Sequence, residues 1–367
     1  MRIPLKNPSP DKDNFKKVIL RQKTPQRPPF MELHLDKEII KELTEKWLGK
    51  KWIDPSTKDR DLQKAVALNY VDCWYRLGFD CVRFTADFRF TSGYHYSSKT
   101  RGGKDTAELA RPERKWAEEG KGIITSWEDF EKYPWPTLKD SDNWVLDYVS
   151  ENLPEGMGLL ACPGAGIFEV GLNILFGAET LSYLLYDDPK LVKAVFDRAG
   201  QLIYDWYKSI IGMESVVGFF QGDDMGYKTA TIISPKFMRE YVLPWHKKIA
   251  QLAHDNGLVY ILHSCGNLET IMEDLIEDVK IDAKHSFEDE IMPVAQFKAK
   301  YGDRIAVIGG VDIDKICRLG EPELRKYVRN IIDECMPGGG YLLGSGNSVA
   351  NYVPVENYLI VLDEGLG

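Results

Sequence analysis

The chain has 367 residues, of which 47 are basic and 56 are acidic, for a net charge of −9. An acidic balance of this kind argues against a nucleic-acid-binding surface. No apolar run approaches the roughly 18 residues that a membrane span needs. The six cysteines include no C-x-x-C pair and follow no signal peptide. Free thiols in a reducing cytoplasm are therefore expected.

Residues 1–29 contain six prolines among polar residues, which predicts an N-terminal arm laid over the domain that follows. From residue 30 onward, short apolar runs bounded by turn residues predict strands. The eight runs are 30–34, 80–85, 157–162, 216–221, 258–264, 282–287, 305–309 and 341–344. We therefore assign residues 1–29 to the arm and residues 30–367 to a single domain.

Helical spacing of apolar residues separates these runs. The predicted helices are 61–77, 189–211, 235–252, 269–279, 293–301, 321–335 and 355–362. Strands that alternate with helices predict a parallel sheet. Eight such units predict a single (β/α)8 TIM barrel, whose site would lie at the carboxyl ends of the strands. An open doubly wound sheet is the alternative, although no G-x-G-x-x-G follows the first strand.

A long insertion, residues 88–136, follows the second predicted strand and is rich in glycine, charge and aromatic residues. A long segment at that end of a barrel strand is typical of a lid or substrate loop. A surface insertion without such a role is the alternative interpretation.

Polar side chains follow nearly every predicted strand, and the barrel would bring them to one rim. They are Glu32, His34, Asp87, Cys162, Glu169, Asp223, Asp224, His263, Cys265, Lys284, His285, Asp312, Ser345, Asn347 and Ser348. Any one of them could belong to an ordinary surface loop. The convergence of carboxylates, histidine and cysteine is what predicts a site.

The sequence HSCGN, at the end of the fifth predicted strand, is the centre of that prediction. Side chains two residues apart on a strand point the same way, so the His263 imidazole and the Cys265 thiol would share one face. Both are soft metal ligands. A bare H-x-C pair also fits a structural strand end with a satisfied histidine and a buried cysteine.

With these residues assembled, the chain resembles the uroporphyrinogen decarboxylase superfamily, which includes corrinoid-dependent methyltransferases. The similarity runs from about Arg21 to the C-terminus. The stretches that carry it are LGFDCVRFTAD, SPKFMREYVLPWHKKI, LHSCGN, GGVDI and GGYLLGSGNSVANYVPVEN.

The resemblance also assigns positions. Asp87 falls at the central aspartate of the decarboxylases, whereas Glu169 falls near their tyrosine and Asn347 at their histidine. The arginine-rich N-terminal signature of those enzymes is absent from TPQRPPFMELHLD. In the methyltransferase branch, His263 and Cys265 resemble two ligands of a zinc site whose third ligand, a cysteine, falls at Asn347.

The resemblance therefore implies methyl transfer between a methoxylated or other small donor and a corrinoid protein. Zinc would be held by His263 and Cys265 at the barrel mouth. Because Asn347 stands where the third sulfur ligand falls, we expect a carboxylate from Asp223, Asp224, Glu169 or Glu32 to complete the site. Catalytic positions are assigned to Asp223, Asp224, Glu169 and Asp87, and substrate-binding positions to Glu32, His285 and Asn347. Asp223 or Asp224 would be the third ligand or a proton donor to the leaving oxygen.

Two alternatives remain. One is a metal-free carboxy-lyase that acts through Asp87 and has a cationic pocket, with Arg83 and Arg89 as candidate cations. The other is a non-catalytic ligand-binding relative that has lost the ligand set. A homodimer stays an open alternative, and neither nucleic acid nor membrane is expected as a partner.

Overall fold

The structure, a computed structural model, describes most of the chain. The described residues are 1–85, 100–103, 107, 109, 114–117, 122–140, 143–164 and 166–367. Asp87, Arg89 and most of the first part of the insertion lie outside them. The predictions made for those residues are therefore not addressed by the structure.

Nine strands occur in the described part of the chain. They are β1 Cys81–Thr85, β2 Thr100–Gly103, β3 Arg114–Ala117, β4 Gly158–Cys162, β5 Val216–Gly222, β6 Val259–His263, β7 Ala283–His285, β8 Ala306–Ile308 and β9 Tyr341–Leu342. The strands β1 and β4–β9 form one curled parallel sheet in chain order, and β2 pairs with β3 as a separate antiparallel hairpin. Seven of the eight predicted strands are thus confirmed as neighbours in a parallel sheet.

The first predicted strand, 30–34, joins the sheet only partly. Phe30 makes a parallel bridge with Leu343, and Leu35 makes a second with Val349. On its other side, the segment contacts β1 through a side chain, because Arg83 Nη1 donates to Leu33 O at 2.9 Å. The fold is therefore an α/β fold built on a curled seven-stranded parallel sheet. These contacts alone do not establish the predicted closed barrel of eight strands.

Fourteen α-helices of varied length surround the sheet within the described residues. They are α1 Lys12–Ile19, α2 Lys37–Glu42, α3 Arg60–Leu77, α4 Trp127–Lys132, α5 Trp144–Glu151, α6 Ile167–Glu169, α7 Ala178–Asp187, α8 Pro189–Ser209, α9 Pro235–Phe237, α10 Leu243–Asp255, α11 Val294–Tyr301, α12 Ile313–Arg318, α13 Glu321–Cys335 and α14 Val355–Gly365. Wider π-type turns occur at Leu43–Trp47, Val170–Phe176, Met238–Val242 and Asp274–Val279. The predicted helix 269–279 is accordingly a short 3₁₀ turn followed by a π turn.

Local sequence signals explain where α3 begins and ends. The Asp59 side chain accepts hydrogen bonds from the backbone N–H groups of Asp61 and Leu62, which otherwise lack intrahelical partners. Gly78 ends the helix with φ +90°, a left-handed conformation that glycine adopts without a Cβ clash. The helix therefore returns the chain to β1 at a fixed point.

The N-terminal residues contribute to the common core. Phe15 and Val18 of α1 are completely buried, and α1 packs against β8 and β9. Burial of one such apolar side chain stabilises the fold by about 1.5–3 kcal/mol.

No single described helix has the length and apolar character to cross a membrane, and one pair, Ile167–Phe176 with Ala178–Asp187, does so only when joined across a 100° bend.

Candidate metal centre

The loops after β5 and β6 place the candidate ligands side by side. Gly222 lies opposite His263 in the parallel register of these strands. Asp223 N then donates to His263 O at 2.9 Å, which continues the pairing beyond the sheet. Asp224, the next residue along, is thereby brought next to Cys265.

Two glycines allow these loops to approach closely. Gly226 N donates to Cys265 O at 3.1 Å, and Asn267 N donates to Tyr227 O at 2.7 Å. Gly266 has φ +79°, and a Cβ atom there would lie 2.3 Å from the backbone carbon of Gly226. A larger residue at position 266 would therefore force the loops apart.

Asp224, His263 and Cys265 form a compact triad of potential metal ligands. Their ligand atoms all lie within 4.8 Å of one another. Nε2 of His263 lies 3.4 Å from Oδ1 of Asp224 and 3.5 Å from Sγ of Cys265. Oδ1 of Asp224 also accepts the backbone N–H of Cys265 at 2.8 Å, so the carboxylate is held in place.

The charge states within the triad follow from burial and hydrogen bonding. Burial, followed by the nearby Asp224 charge, raises the pKa of the Cys265 thiol to about 12. Burial lowers the pKa of His263 below its ordinary value, which favours the neutral imidazole. Burial works against ionisation of Asp224, but the adjacent His263 and the hydrogen bond from the Cys265 backbone outweigh it and lower its pKa.

Two donors outside the triad point at the Cys265 sulfur. Asn347 Nδ2 lies 3.3 Å from Sγ, and Ser286 Oγ lies 3.6 Å from it. The Asn347 amide is fixed in this orientation because its Oδ1 accepts the N–H of Ser348 at 2.8 Å. Asn347 thus reaches the sulfur as a hydrogen-bond donor at the position where the resemblance places a third soft ligand.

His285 orients His263 from behind. The two Nδ1 atoms lie 2.7 Å apart, and His285 Nε2 lies 3.3 Å from the Ser345 carbonyl oxygen. Burial and the adjacent His263 hold the pKa of His285 well below its ordinary value, so the ring is neutral. Since the carbonyl requires a proton on His285 Nε2, His263 donates through Nδ1 and its Nε2 lone pair faces Asp224 and Cys265.

Asp223 lies apart from the triad, in a sealed cluster. Its side chain is completely buried and accepts the N–H groups of Phe168 and Glu169 at 3.0 and 2.9 Å. His246 Nε2 lies 2.8 Å from Asp223 Oδ2, and its Nδ1 lies 2.6 Å from the Tyr260 hydroxyl. The carboxylate is therefore committed to the start of α6 and to a buried imidazole.

Two further predicted carboxylates, the half-buried Glu169 and the completely buried Glu32, have raised pKa values. Burial, followed by the charges of Asp223 and Asp224, raises the pKa of Glu169 to about 8, and Glu169 lies next to the Asp224 backbone. Burial also raises the pKa of Glu32 to about 8, although Ser345 N–H donates to its Oε1 at 2.8 Å. Glu32 belongs to the 30–35 segment, and its hydrogen bonds to Ser345 connect that segment to the loop after β9.

The structure therefore brings Asp224, His263, Cys265, His285 and Asn347 together, with Glu169 beside them. Asp223 and Glu32 lie outside this group for a common reason. Each carboxylate accepts hydrogen bonds from backbone N–H groups, which hold it elsewhere. Among the other strand-end residues, Asp312 caps α12 by accepting the N–H of Asp314 at 2.8 Å.

Sequence reasoning did not single out His246 or Ser286. A signal for His246 existed: it lies four residues after Val242 and three before Ile249, both fully buried, so it shares their helix face. Ser286 has φ 96°, a left-handed backbone conformation that is rare outside glycine. No local pattern in the sequence marks it.

Comparisons with known proteins find sequence similarity over part of the chain. A family model described as uroporphyrinogen decarboxylase (URO-D) matches residues 150–364. A methylated-thiol–coenzyme M methyltransferase of Methanosarcina mazei is 26% identical over 184 residues, which are 49% of this chain and 46% of the relative. The chain thus matches about half the length of that curated relative.

Solved structures show the same fold. A methyltransferase from Methanosarcina mazei superimposes with a TM-score of 0.70 at 16% identity, covering 97% of this chain and 98% of its own. The putative vitamin-B12 independent methionine synthase from Listeria monocytogenes gives a TM-score of 0.50 at 12% identity, covering 93% and 97%. At such identities, the likeness extends to the fold alone.

Proposed function

The chain belongs to the uroporphyrinogen decarboxylase family, and we propose that it is a metal-assisted methyltransferase of that family. It would move a methyl group between a small donor and a corrinoid carried by a partner protein. The observation that carries the proposal is the Asp224–His263–Cys265 triad, whose ligand atoms lie within 4.8 Å of one another. The partial similarity to a methylated-thiol–coenzyme M methyltransferase supports the same reaction class.

The donor set fits zinc. Zinc in proteins is bound by cysteine sulfur, histidine nitrogen and carboxylate oxygen, and catalytic sites use three protein ligands and one open position. One thiolate and one carboxylate would balance the two positive charges of the ion in this half-buried site. The His285 contact and the two donors to sulfur supply the outer hydrogen bonds that orient such ligands.

In this proposal, each residue has a defined part. His263, Cys265 and Asp224 hold zinc, which supplies Lewis-acid polarisation of the sulfur or oxygen that carries or receives the methyl group. Asn347 and Ser286 stabilise negative charge on the Cys265 sulfur. Glu169, beside Asp224, would line the substrate pocket next to the metal. Asp87, which follows β1 in the sequence, is proposed to line the same pocket.

The test is a methyl-transfer assay on the purified chain after reconstitution with one equivalent of zinc. Free cob(I)alamin, generated with a chemical reductant, serves as the methyl acceptor, and methylcob(III)alamin formation is followed by absorbance. A methylthio donor and a methoxyarene donor form two parallel arms. Transfer from either arm that requires both zinc and Cys265 supports the proposal.

The outcomes separate the proposal from its rivals. Stoichiometric metal with transfer in at least one arm supports it, and the productive arm identifies the donor atom. A protein that binds no zinc, or whose activity is unchanged by chelation, contradicts it. Neither metal binding nor turnover would favour the non-catalytic relative.

A carboxy-lyase is the second candidate function, and one observation favours it. Arg83 is buried at 9% exposure and, together with Arg60, lines a cavity whose cations could hold a carboxylated substrate. Asp87 would carry that reaction. Metal-independent loss of CO2 from a carboxylated substrate, abolished by Asp87→Asn, would replace methyl transfer as the function.

We further propose that the 30–34 segment completes a (β/α)8 barrel, with residues 30–367 as one domain and 1–29 as its arm. The bridges to Leu343 and Val349 support the closure.

All six cysteines lie in described parts of the chain and are unpaired. A reducing cytoplasmic environment would keep Cys265 available as a ligand, and a homodimer stays a prediction.

A further inference from the structure

A cavity lies beside the carboxyl end of β1, and none of the triad residues lines it. Its volume is about 690 Å³, within the range of small-molecule sites. Helices α3 and α5 supply apolar walls, including Val66, Tyr70, Val145 and Leu146. Such walls fit the body of a small aromatic or aliphatic molecule.

Cationic side chains meet in this cavity. Arg83, Arg60 and Lys58 line it together with His34, and none of the lining residues that the structure describes is acidic. Arg60 Cζ lies 3.8 Å from the centroid of the Trp144 ring, so this guanidinium is held over an aromatic face. The cavity therefore combines apolar walls with concentrated positive charge.

Arg83 is the most informative of these residues because it is buried without a carboxylate partner. Its guanidinium donates to Leu33 O at 2.9 Å, Thr85 Oγ1 at 3.1 Å and Cys162 Sγ at 2.9 Å, which are uncharged backbone, hydroxyl and thiol groups. Its Nε is buried with no hydrogen-bond partner. No described acidic side chain forms an ion pair with it.

Burying a guanidinium without a counter-ion is costly, and an anion in the cavity would offset that cost. The planar fork of arginine matches carboxylate and sulfonate oxygens. Arg83 Cζ also lies 5.1 Å from the Phe220 ring, which contacts His285 edge-on at a centroid distance of 5.8 Å. One aromatic ring thus separates the guanidinium from the residue that orients the triad.

We propose that this cavity binds a small organic anion, a carboxylate or sulfonate on an aromatic or apolar body, with Arg83 and Arg60 as its anion receptors. The inference concerns binding alone and holds for either proposed reaction. It needs neither zinc nor turnover, so its failure is distinguishable from failure of the proposed function.

The experiment is calorimetric titration of the whole chain with benzoate, benzenesulfonate and the neutral isostere benzamide. Charge-assisted hydrogen bonds predict that an oxyanion binds about 10-fold tighter than benzamide, or more. Arg83→Lys keeps the charge but loses the fork, and should weaken oxyanion binding about 10-fold while leaving benzamide unchanged. The ratio of benzoate to benzenesulfonate affinity identifies the preferred oxyanion shape.

Arg60→Gln provides a second variant that does not depend on a buried side chain, because Arg60 is exposed. It should weaken benzoate binding several-fold, on the scale of one lost charge contact. Arg239→Gln is the matched control, since Arg239 pairs with Asp274 outside the cavity. Equal affinities for benzoate and benzamide, no benzoate binding, or unchanged affinity in both cavity variants would overturn the proposal.

Discussion

Asp223 and Asp224 are neighbours in the sequence, yet their side chains lie in opposite surroundings. Asp223 is completely buried, with both oxygens engaged by backbone N–H groups and His246. The Asp224 side chain is 38% exposed and faces His263 and Cys265. The comparison teaches that a buried carboxylate whose two oxygens both accept hydrogen bonds within the protein supports the fold. A partly exposed carboxylate beside a histidine nitrogen and a cysteine sulfur can instead bind a metal.

The largest expected effect is loss of the metal on Cys265→Ala. Removing the thiolate takes away a ligand and one balancing charge, so zinc affinity should fall by more than about 100-fold, beyond the usual cost of an outer-shell change. Chelator competition measures the affinity, and the methyl-transfer assay should fail in parallel. Cys317→Ala is the control, because Cys317 is a half-buried free thiol outside the triad. A Cys265→Ala protein with full metal and full activity would make the pair a structural strand end.

Asp223→Asn tests the sealed side of the comparison. The substitution places an amide among donors and leaves His246 without its carboxylate, so the free energy of unfolding should fall by about 3–5 kcal/mol. Urea unfolding of the metal-free protein measures this value. Unchanged stability would show that the buried cluster does not support the fold.

Asp224→Asn tests the open side with the same chemical change. Because the side chain is partly exposed, the metal-free protein should lose less than about 1 kcal/mol. Zinc affinity should fall by about 10- to 100-fold, since an amide oxygen lacks the anionic charge. If Asp223→Asn and Asp224→Asn exchanged these effects, the roles assigned to the two aspartates would be reversed.

Glu32→Gln extends the comparison to a second sealed carboxylate, through the pH dependence of stability. Because burial raises the Glu32 pKa from 4.5 to about 8, the folded protein keeps a proton that the unfolded chain releases within that window. The free energy of unfolding therefore falls as pH rises from 4.5 towards 8, by up to about 1.4 kcal/mol per pH unit.

Glutamine removes this titration, so the variant should lose less stability than the wild type across the same window. Urea unfolding at several pH values measures both slopes. Glu169 shifts in the same direction, so a residual slope is expected in the variant. Identical slopes in the two proteins would show that Glu32 does not titrate between the folded and unfolded states as described.

The sequence by itself determined the order of strands and helices and the pairing of His263 with Cys265. Apolar periodicity and strand alternation are local properties, so they can be read over a few residues. Seven of the eight predicted strands are neighbours in the sheet for this reason. The first predicted strand, 30–34, joins the sheet only partly. Its contacts are with Leu343, Val349 and Arg83, which lie far away in the chain.

Only the tertiary structure decided which aspartate joins the triad and what surrounds the sulfur. Asp223 and Asp224 have the same chemistry and adjacent positions, and the backbone donors of α6 claim one of them. Asn347 reaches Cys265 from 82 residues further along the chain. Hydrogen bonds between distant segments depend on how strands and loops meet in space, and a local pattern carries no information about that meeting.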